Sequence, residues 1–178
     1  MFNDKMVYTE HALMRDQLRK DYKLAQKLDN IHRVIAGLGC DSICQVDCKF
    51  GLDLIKIKRE SWKSQMSGIA DHFLYERYSR NLFRHQDLID FNFSEIKNIN
   101  GQDLYDLVFV NNKKVNSYLL RTLINLTKKY VVIPMDSVEF KLCEHDTNYE
   151  VINNILVYQK PQSTASQQPS KVEAEHAS

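Results

Sequence analysis

No uninterrupted stretch of this chain reaches the ~18 to 20 apolar residues of a membrane-spanning helix, and the opening MFNDKMVYTEH carries no apolar core of a secretory leader. Charge of one sign is lacking too. Lys+Arg 24 against Asp+Glu 23 leaves a formal net charge of +1, so no global field argues for a nucleic-acid or acidic-membrane partner. The cluster Lys56-Ile57-Lys58-Arg59 reads as a solvated face. Cysteines at the CxxC spacing of a zinc knuckle are absent. Cys40, Cys44 and Cys48 recur every four residues, with Cys143 far away. In a strand such positions share a face roughly 13 Å apart, too far for one ion. Buried free thiols are therefore expected, and with them a soluble, cytoplasmic chain.

What is present is a βαβ pattern. Asp106-Leu-Val-Phe-Val110 is a short apolar run suited to a strand buried on both faces, and it ends on Asn111, Asn112, Lys113 and Lys114. Val115, Tyr118, Leu119, Thr122, Leu123 and Leu126 then recur at helical spacing, while Asn116, Arg121 and Asn125 fall on the other side. Lys128 and Lys129 follow where a helix dipole favours cations. Tyr130-Val-Val-Ile133 reads as a second buried strand, and a crossover of this length predicts parallel pairing. Ligands of such sheets bind beyond the carboxyl ends of the strands, which points to Asn111, Asn112 and the turn Pro134-Met135-Asp136.

Length bounds the organisation, because 178 residues suit one domain of about 150 residues plus an appendage. Residues 1–40 are expected to form a helical segment packed on the domain, with a stripe of Met14, Leu18, Tyr22, Ala25, Leu28, Ile31 and Ile35 between Thr9 and Ile35. The α/β domain spans 41–161. Its first strand is Ser42 to Asp47, and Lys49-Phe50-Gly51 is a turn. Leu52 to Ile57 reads equally as a helix start or as the return arm of a hairpin. Phe73 to Tyr78 reads as helix, and Leu82 to Phe93 contains a strand. Ser137 to Leu142 and Tyr149 to Tyr158 are predicted to pair as antiparallel terminal strands across Glu144 to Asn148, a connection that puts His145 and Asp146 in a surface loop. Residues 162–178 have almost no large apolar side chain and are expected to be a disordered tail.

The string YDLVFVNNKK, the helix after it, YVVIPMD and the closing ILVYQKP resemble the second half of class I S-adenosylmethionine-dependent methyltransferases, most nearly the catechol-type O-methyltransferases, over Asp87 to Pro161. The resemblance implies a Rossmann-like three-layer α/β sandwich, with a mainly parallel sheet and an antiparallel C-terminal edge. It puts QVDCKFG, from Gln45, at the cofactor loop, Gly68 to Asp71 at the second strand and its acidic end, and His85 to Asp87 at the third strand. The implied cofactor is S-adenosylmethionine, with Asp47 and Gly51 at the loop, Asp71 at the ribose and Asp87 at the adenine amine; Asn111 and Asp136 would face the acceptor. Two departures matter. The loop has only Gly51 where such enzymes need glycines for close backbone approach. Asn111 stands where catechol-type enzymes have a metal-binding aspartate, and a neutral amide is a poor ligand for a hard cation.

Two functions follow as expectations. One is a metal-independent methyltransferase that holds an acceptor, small molecule or protein, in line with the sulfonium methyl. The other is a non-catalytic relative, an adaptor or scaffold that binds a protein partner through the emptied crevice or the amino-terminal helix. On composition, deleting every residue after Gln162 leaves the melting temperature of the domain unchanged; a scanning calorimetry pair tests this, and a drop of several degrees would make the tail part of the fold.

Overall fold

In a computed structural model of the chain, the described residues are 12, 16, 19–20, 29–61, 63–70, 75, 89–93, 101–102, 104–111, 113–141 and 148–161. The expectations for most of 9–28, for 142–147 (His145 and Asp146 among them) and for the tail therefore lie outside the described residues, as does all of 73–78 except the helical Tyr75.

Among the described residues, seven strands make one sheet. They are β1 (Ser42–Val46), β2 (Gln65–Ala70), β3 (Ile89–Phe93), β4 (Tyr105–Phe109), β5 (Thr127–Pro134), β6 (Tyr149–Ile152) and β7 (Ile155–Gln159), in the spatial order β3-β2-β1-β4-β5-β7-β6. β1 lies between β2 and β4 and pairs with both in parallel. β2–β3 and β4–β5 are parallel as well, whereas β5–β7 and β6–β7 are antiparallel. The predicted α/β sheet with an antiparallel C-terminal edge is the one observed.

Three described helices cover the sheet: α1 (Asp29–Gly37), α2 (Leu52–Glu60) and α3 (Ser117–Leu126). The period of two along each strand divides the core into two layers. Ile31, Ile35, Leu54 and Ile57 from α1 and α2 pack with Ile43, Met66, Leu107, Phe109 and Val132. On the other face, Leu119, Leu123 and Leu126 of α3 pack with Cys44, Val46, Val108, Val110, Val131 and Ile133. The ambiguous segment Leu52 to Ile57 is thus a helix, which the left-handed Gly51 (φ 69°) admits at its N-cap.

Several sequence expectations shift. Helix α3 starts at Ser117 because the Asn116 side chain accepts a hydrogen bond from the Leu119 amide at 2.9 Å. That cap sets the phase. Leu119, Leu123 and Leu126 face inward, Tyr118 is 64% exposed, and Val115 is buried ahead of the helix by bridging Val138. Lys128 and Lys129 are not at the helix end, since the chain passes straight from Leu126 into β5. The cation there is Lys160, whose ammonium donates to the carbonyls of Ile124 (3.1 Å) and Thr127 (3.0 Å). Lys129 instead pairs with Asp106 at 3.4 Å.

The terminal hairpin also differs from the predicted pair. Tyr149 to Tyr158 is not one strand; it turns at Asn153 (φ 50°) and Asn154 (φ 65°), so β6 and β7 pair with each other. Two successive left-handed residues are what a two-residue type I′ turn requires, and asparagine tolerates them better than most residues. Ser137 closes a short 3-10 turn (Met135–Ser137), and Val138 makes a single bridge in place of a strand. The third strand is Ile89–Phe93, and the His85–Asp87 position that the resemblance implied for it lies outside the described residues.

Leu123 is fully buried at the centre of the α3 stripe. Replacing it by alanine is expected to cost about 2 to 5 kcal/mol through lost burial and a residual cavity. Urea denaturation measures this, and an unchanged midpoint would remove α3 from the core.

Candidate functional site

Strand order reverses between β1 and β4, which are neighbours although β2 and β3 intervene in sequence. A crevice opens beyond the carboxyl ends of strands at such a point. Its first wall is the loop from β1 to α2. Asp47 (φ 60°), Lys49 (φ 47°) and Gly51 (φ 69°) are all left-handed in it, and two of these three carry side chains. The Cys48 amide donates to the Ile69 carbonyl at 3.0 Å, and Gly51 N–H to the Cys48 carbonyl at 2.8 Å, holding the loop down on β2. Gly68 is required beneath it, because a Cβ there would sit 2.6 Å from Cys48 Sγ. Phe50 is buried and meets Tyr75 edge-on, with ring centroids 4.9 Å apart.

The second wall runs from the end of β4. Lys113 lies 4.0 Å from the Asp47 carboxylate, so an ion pair spans the crevice from the β4 side to the β1 side. The Lys114 ammonium donates to the Asp136 carbonyl, and Val115 exchanges main-chain hydrogen bonds with Ser137 (2.8 Å) and Glu139 (2.9 Å). The two loops nearest β4 and β5 are thereby tied together. Asp136, in the 3-10 turn, is exposed.

Beneath the walls sits a buried acid. Asp53, in the first turn of α2, accepts hydrogen bonds from Gln45 Nε2 (2.9 Å) and Asn111 Nδ2 (2.8 Å) on one oxygen, and lies 3.2 Å from His32 Nε2 on the other. Burial alone would raise its pKa. The hydrogen bond and charge of His32, with the hydrogen bonds from Asn111 and Gln45, outweigh that and hold the carboxyl below its ordinary value. The cluster joins α1, β1, α2 and the end of β4.

Of the residues expected at the site, Asp47, Gly51, Asn111 and Asp136 come to the carboxyl edge of the sheet. Asn111 is only 5% exposed, and its amide nitrogen is engaged by Asp53. Asp71 and Asp87 lie outside the described residues. His32 and Asp53 were not singled out from sequence, and Gln45 was named only as the start of the implied cofactor loop, although Gln45 interrupts the apolar run of β1 and His32 adjoins the buried stripe of α1, signals of a buried polar contact. Burial pushes the Cys40 thiol up to about 11, with a smaller contribution from Asp106, and burial also raises that of Cys44. Cys40, Cys44 and Cys48 are buried and outside any disulfide, and the raised pKa of Cys40 and Cys44 makes those two unsuited to nucleophilic chemistry. Among the described residues, no group of three or more His, Cys, Asp or Glu is placed to hold a metal ion, and no helix is long and apolar enough to cross a membrane.

No protein-family profile matches the sequence, and no curated protein matches it either. Solved structures do match in fold. A Staphylococcus aureus protein designated a caffeoyl-CoA O-methyltransferase aligns with a TM-score of 0.57 at 13% identity, over 90% of this chain and 100% of that one. The plantazolicin methyltransferase BpumL, in complex with S-adenosylhomocysteine, aligns at 0.54 and 16% identity over 72% of this chain, and human N-acetylserotonin methyltransferase, in complex with S-adenosylmethionine, at 0.54 and 12% over 67%. The chain spans 55% and 38% of the lengths of those last two.

Replacing Asp53 by asparagine is expected to lower stability by about 1.5 to 3 kcal/mol, since it removes charge-assisted hydrogen bonds. A depressed folded-state pKa gives stability that is fully present above the ordinary carboxylate value of about 3.9 and is lost as pH falls through the lower folded value. The difference between wild type and Asp53→Asn is thus constant at neutral pH and shrinks in acid. Denaturant melts from pH 7 down to pH 3 check this, and a gap that widens with acid would contradict it.

Proposed function

We propose that this chain, which has the fold of class I S-adenosylmethionine-dependent methyltransferases, binds S-adenosylmethionine at the β1–α2 loop and transfers its methyl group without a metal ion. The observation that carries the reading is the backbone of that loop. A non-glycine residue in the left-handed region costs roughly 1 to 2 kcal/mol, and strain of this kind concentrates at ligand-holding sites. Asp47 and Lys49 both accept it at the switch point of the sheet.

The side chains suit the amino-acid end of such a cofactor. Asp47 offers a carboxylate to an ammonium group, and Lys49 and Lys113 offer cations to a carboxylate. Gly51 lets the backbone come close, and Asp71 and Asp87 would bind ribose and adenine as the resemblance implies. When bound, the cofactor supplies a methyl group activated by its sulfonium charge. Asn111, fixed by Asp53, braces the acceptor-side loop, and the exposed Asp136 is available to orient an acceptor, either a small molecule or a protein group. Catechol-type O-methyltransferases are the proposed nearest relatives, with the neutral Asn111 amide favouring chemistry free of a hard cation. Cytoplasmic residence accords with the free thiols.

A second reading is a protein-binding adaptor, working through the segment from Thr9 to Ile35. The bulk of Asp47, Lys49 and Phe50 in a loop where such enzymes need glycine favours it.

Isothermal titration of the intact chain with S-adenosylhomocysteine separates the two. Saturable binding is expected, weakened by Asp47→Ala and by Asp71→Ala about 5- to 150-fold each, the equivalent of roughly 1 to 3 kcal/mol per lost charge-assisted contact. No heat of binding at millimolar ligand would leave the adaptor reading alone.

A further inference from the structure

Asp53 does more than bind its neighbours: it dictates which way round two amides stand. Gln45 and Asn111 both direct their NH2 groups at the same carboxylate oxygen, at 2.9 and 2.8 Å. An ionised carboxylate only accepts, so neither amide can turn over without bringing oxygen against oxygen. Both carbonyl oxygens are consequently held away from Asp53. Gln45 Oε1 and Asn111 Oδ1 are buried, and among the described residues neither has a hydrogen-bond partner.

The two amides are side by side, because their nitrogens share one acceptor and their strands are adjacent, Gln45 standing opposite Phe109 two residues before Asn111. Buried carbonyl oxygens of this kind are satisfied in native proteins by an enclosed donor. We propose that Gln45 Oε1 and Asn111 Oδ1 form a buried accepting site for one neutral group with two polar hydrogens. That chemistry belongs to a water molecule or to the primary amino group of a crevice ligand. A group that only accepts, such as a carbonyl or carboxylate oxygen, is rejected. The site is distinct from the proposed cofactor loop contacts, and its existence does not require that reading. Its two acceptors come from β1 and the end of β4, so its occupant helps hold these neighbouring strand ends in register.

Magnetic relaxation dispersion of water 17O counts long-lived internal waters in the intact chain. Asn111→Leu and Gln45→Met are each expected to lose one relative to wild type. Counts unchanged in both would overturn the site. Should a variant fail to fold, wild type alone still decides the matter: cross-relaxation from a long-lived water to the Asn111 and Gln45 side-chain NH2 protons is expected, and its absence from both overturns the proposal. Adding S-adenosylhomocysteine distinguishes the sources. A count lowered by one upon binding assigns the site to the ligand's amino group, and a count that stays assigns it to a resident water. A ligand that fails to bind defeats the proposed function while leaving the water site standing.

Discussion

Everything in this molecule hangs on the parallel pairing of Ile43 to Gln45 with Leu107 to Phe109. It brings together two strands separated by more than sixty residues of sequence, counted from Ile43 to Leu107, and buries both faces of each. Parallel neighbours must be joined by crossovers, so helices are laid on the sheet and the hydrophobic layers follow: α1 and α2 on one side, α3 on the other. The same pairing reverses the strand order and leaves a crevice where the loops after β1 and β4 part.

That crevice is braced at two depths. Below, the Asp53 carboxylate gathers donors from β1, the end of β4 and α1, and three donors make its charge tolerable in a buried place. Above, Asp47 and Lys113 span the opening at 4.0 Å, a long contact whose cationic partner is 42% exposed, so that solvent screens the pair and leaves it little net worth. The lower brace is therefore the rigid one. Lys114 and Val115 add a third tie from the β4 loop to the β5 loop, leaving Asp136 exposed beside it.

The strained loop gives the candidate site its character. Its backbone has left-handed residues at 47, 49 and 51, yet only the last is glycine. Side-chain bulk and backbone shape pull in opposite directions as functional evidence, the first toward a closed relic and the second toward a retained ligand loop. Its anchoring by Cys48 over Gly68 shows that the surrounding packing holds this shape.

Much of the fold was legible in the sequence, because the elements that carried it are local and periodic. Leu107 to Val110 and Val131 to Ile133 announce strands buried on both faces, and Leu119, Leu123 and Leu126 announce the helix between them, since these patterns depend only on the geometry of strand and helix. The carboxyl-edge positions of Asn111 and Asp136 followed from that unit. What tertiary structure alone decided were the choices among near-equal local alternatives. Leu52 to Ile57 became helix because its apolar side fits between α1 and the sheet, and the terminal strand folded at Asn153 and Asn154 because both turned left-handed. The convergence of His32, Gln45, Asp53 and Asn111 was invisible along the chain, because no spacing rule joins residues brought together by strand order. A single polar residue in an apolar run signals that a partner is needed; only the folded chain can supply its identity.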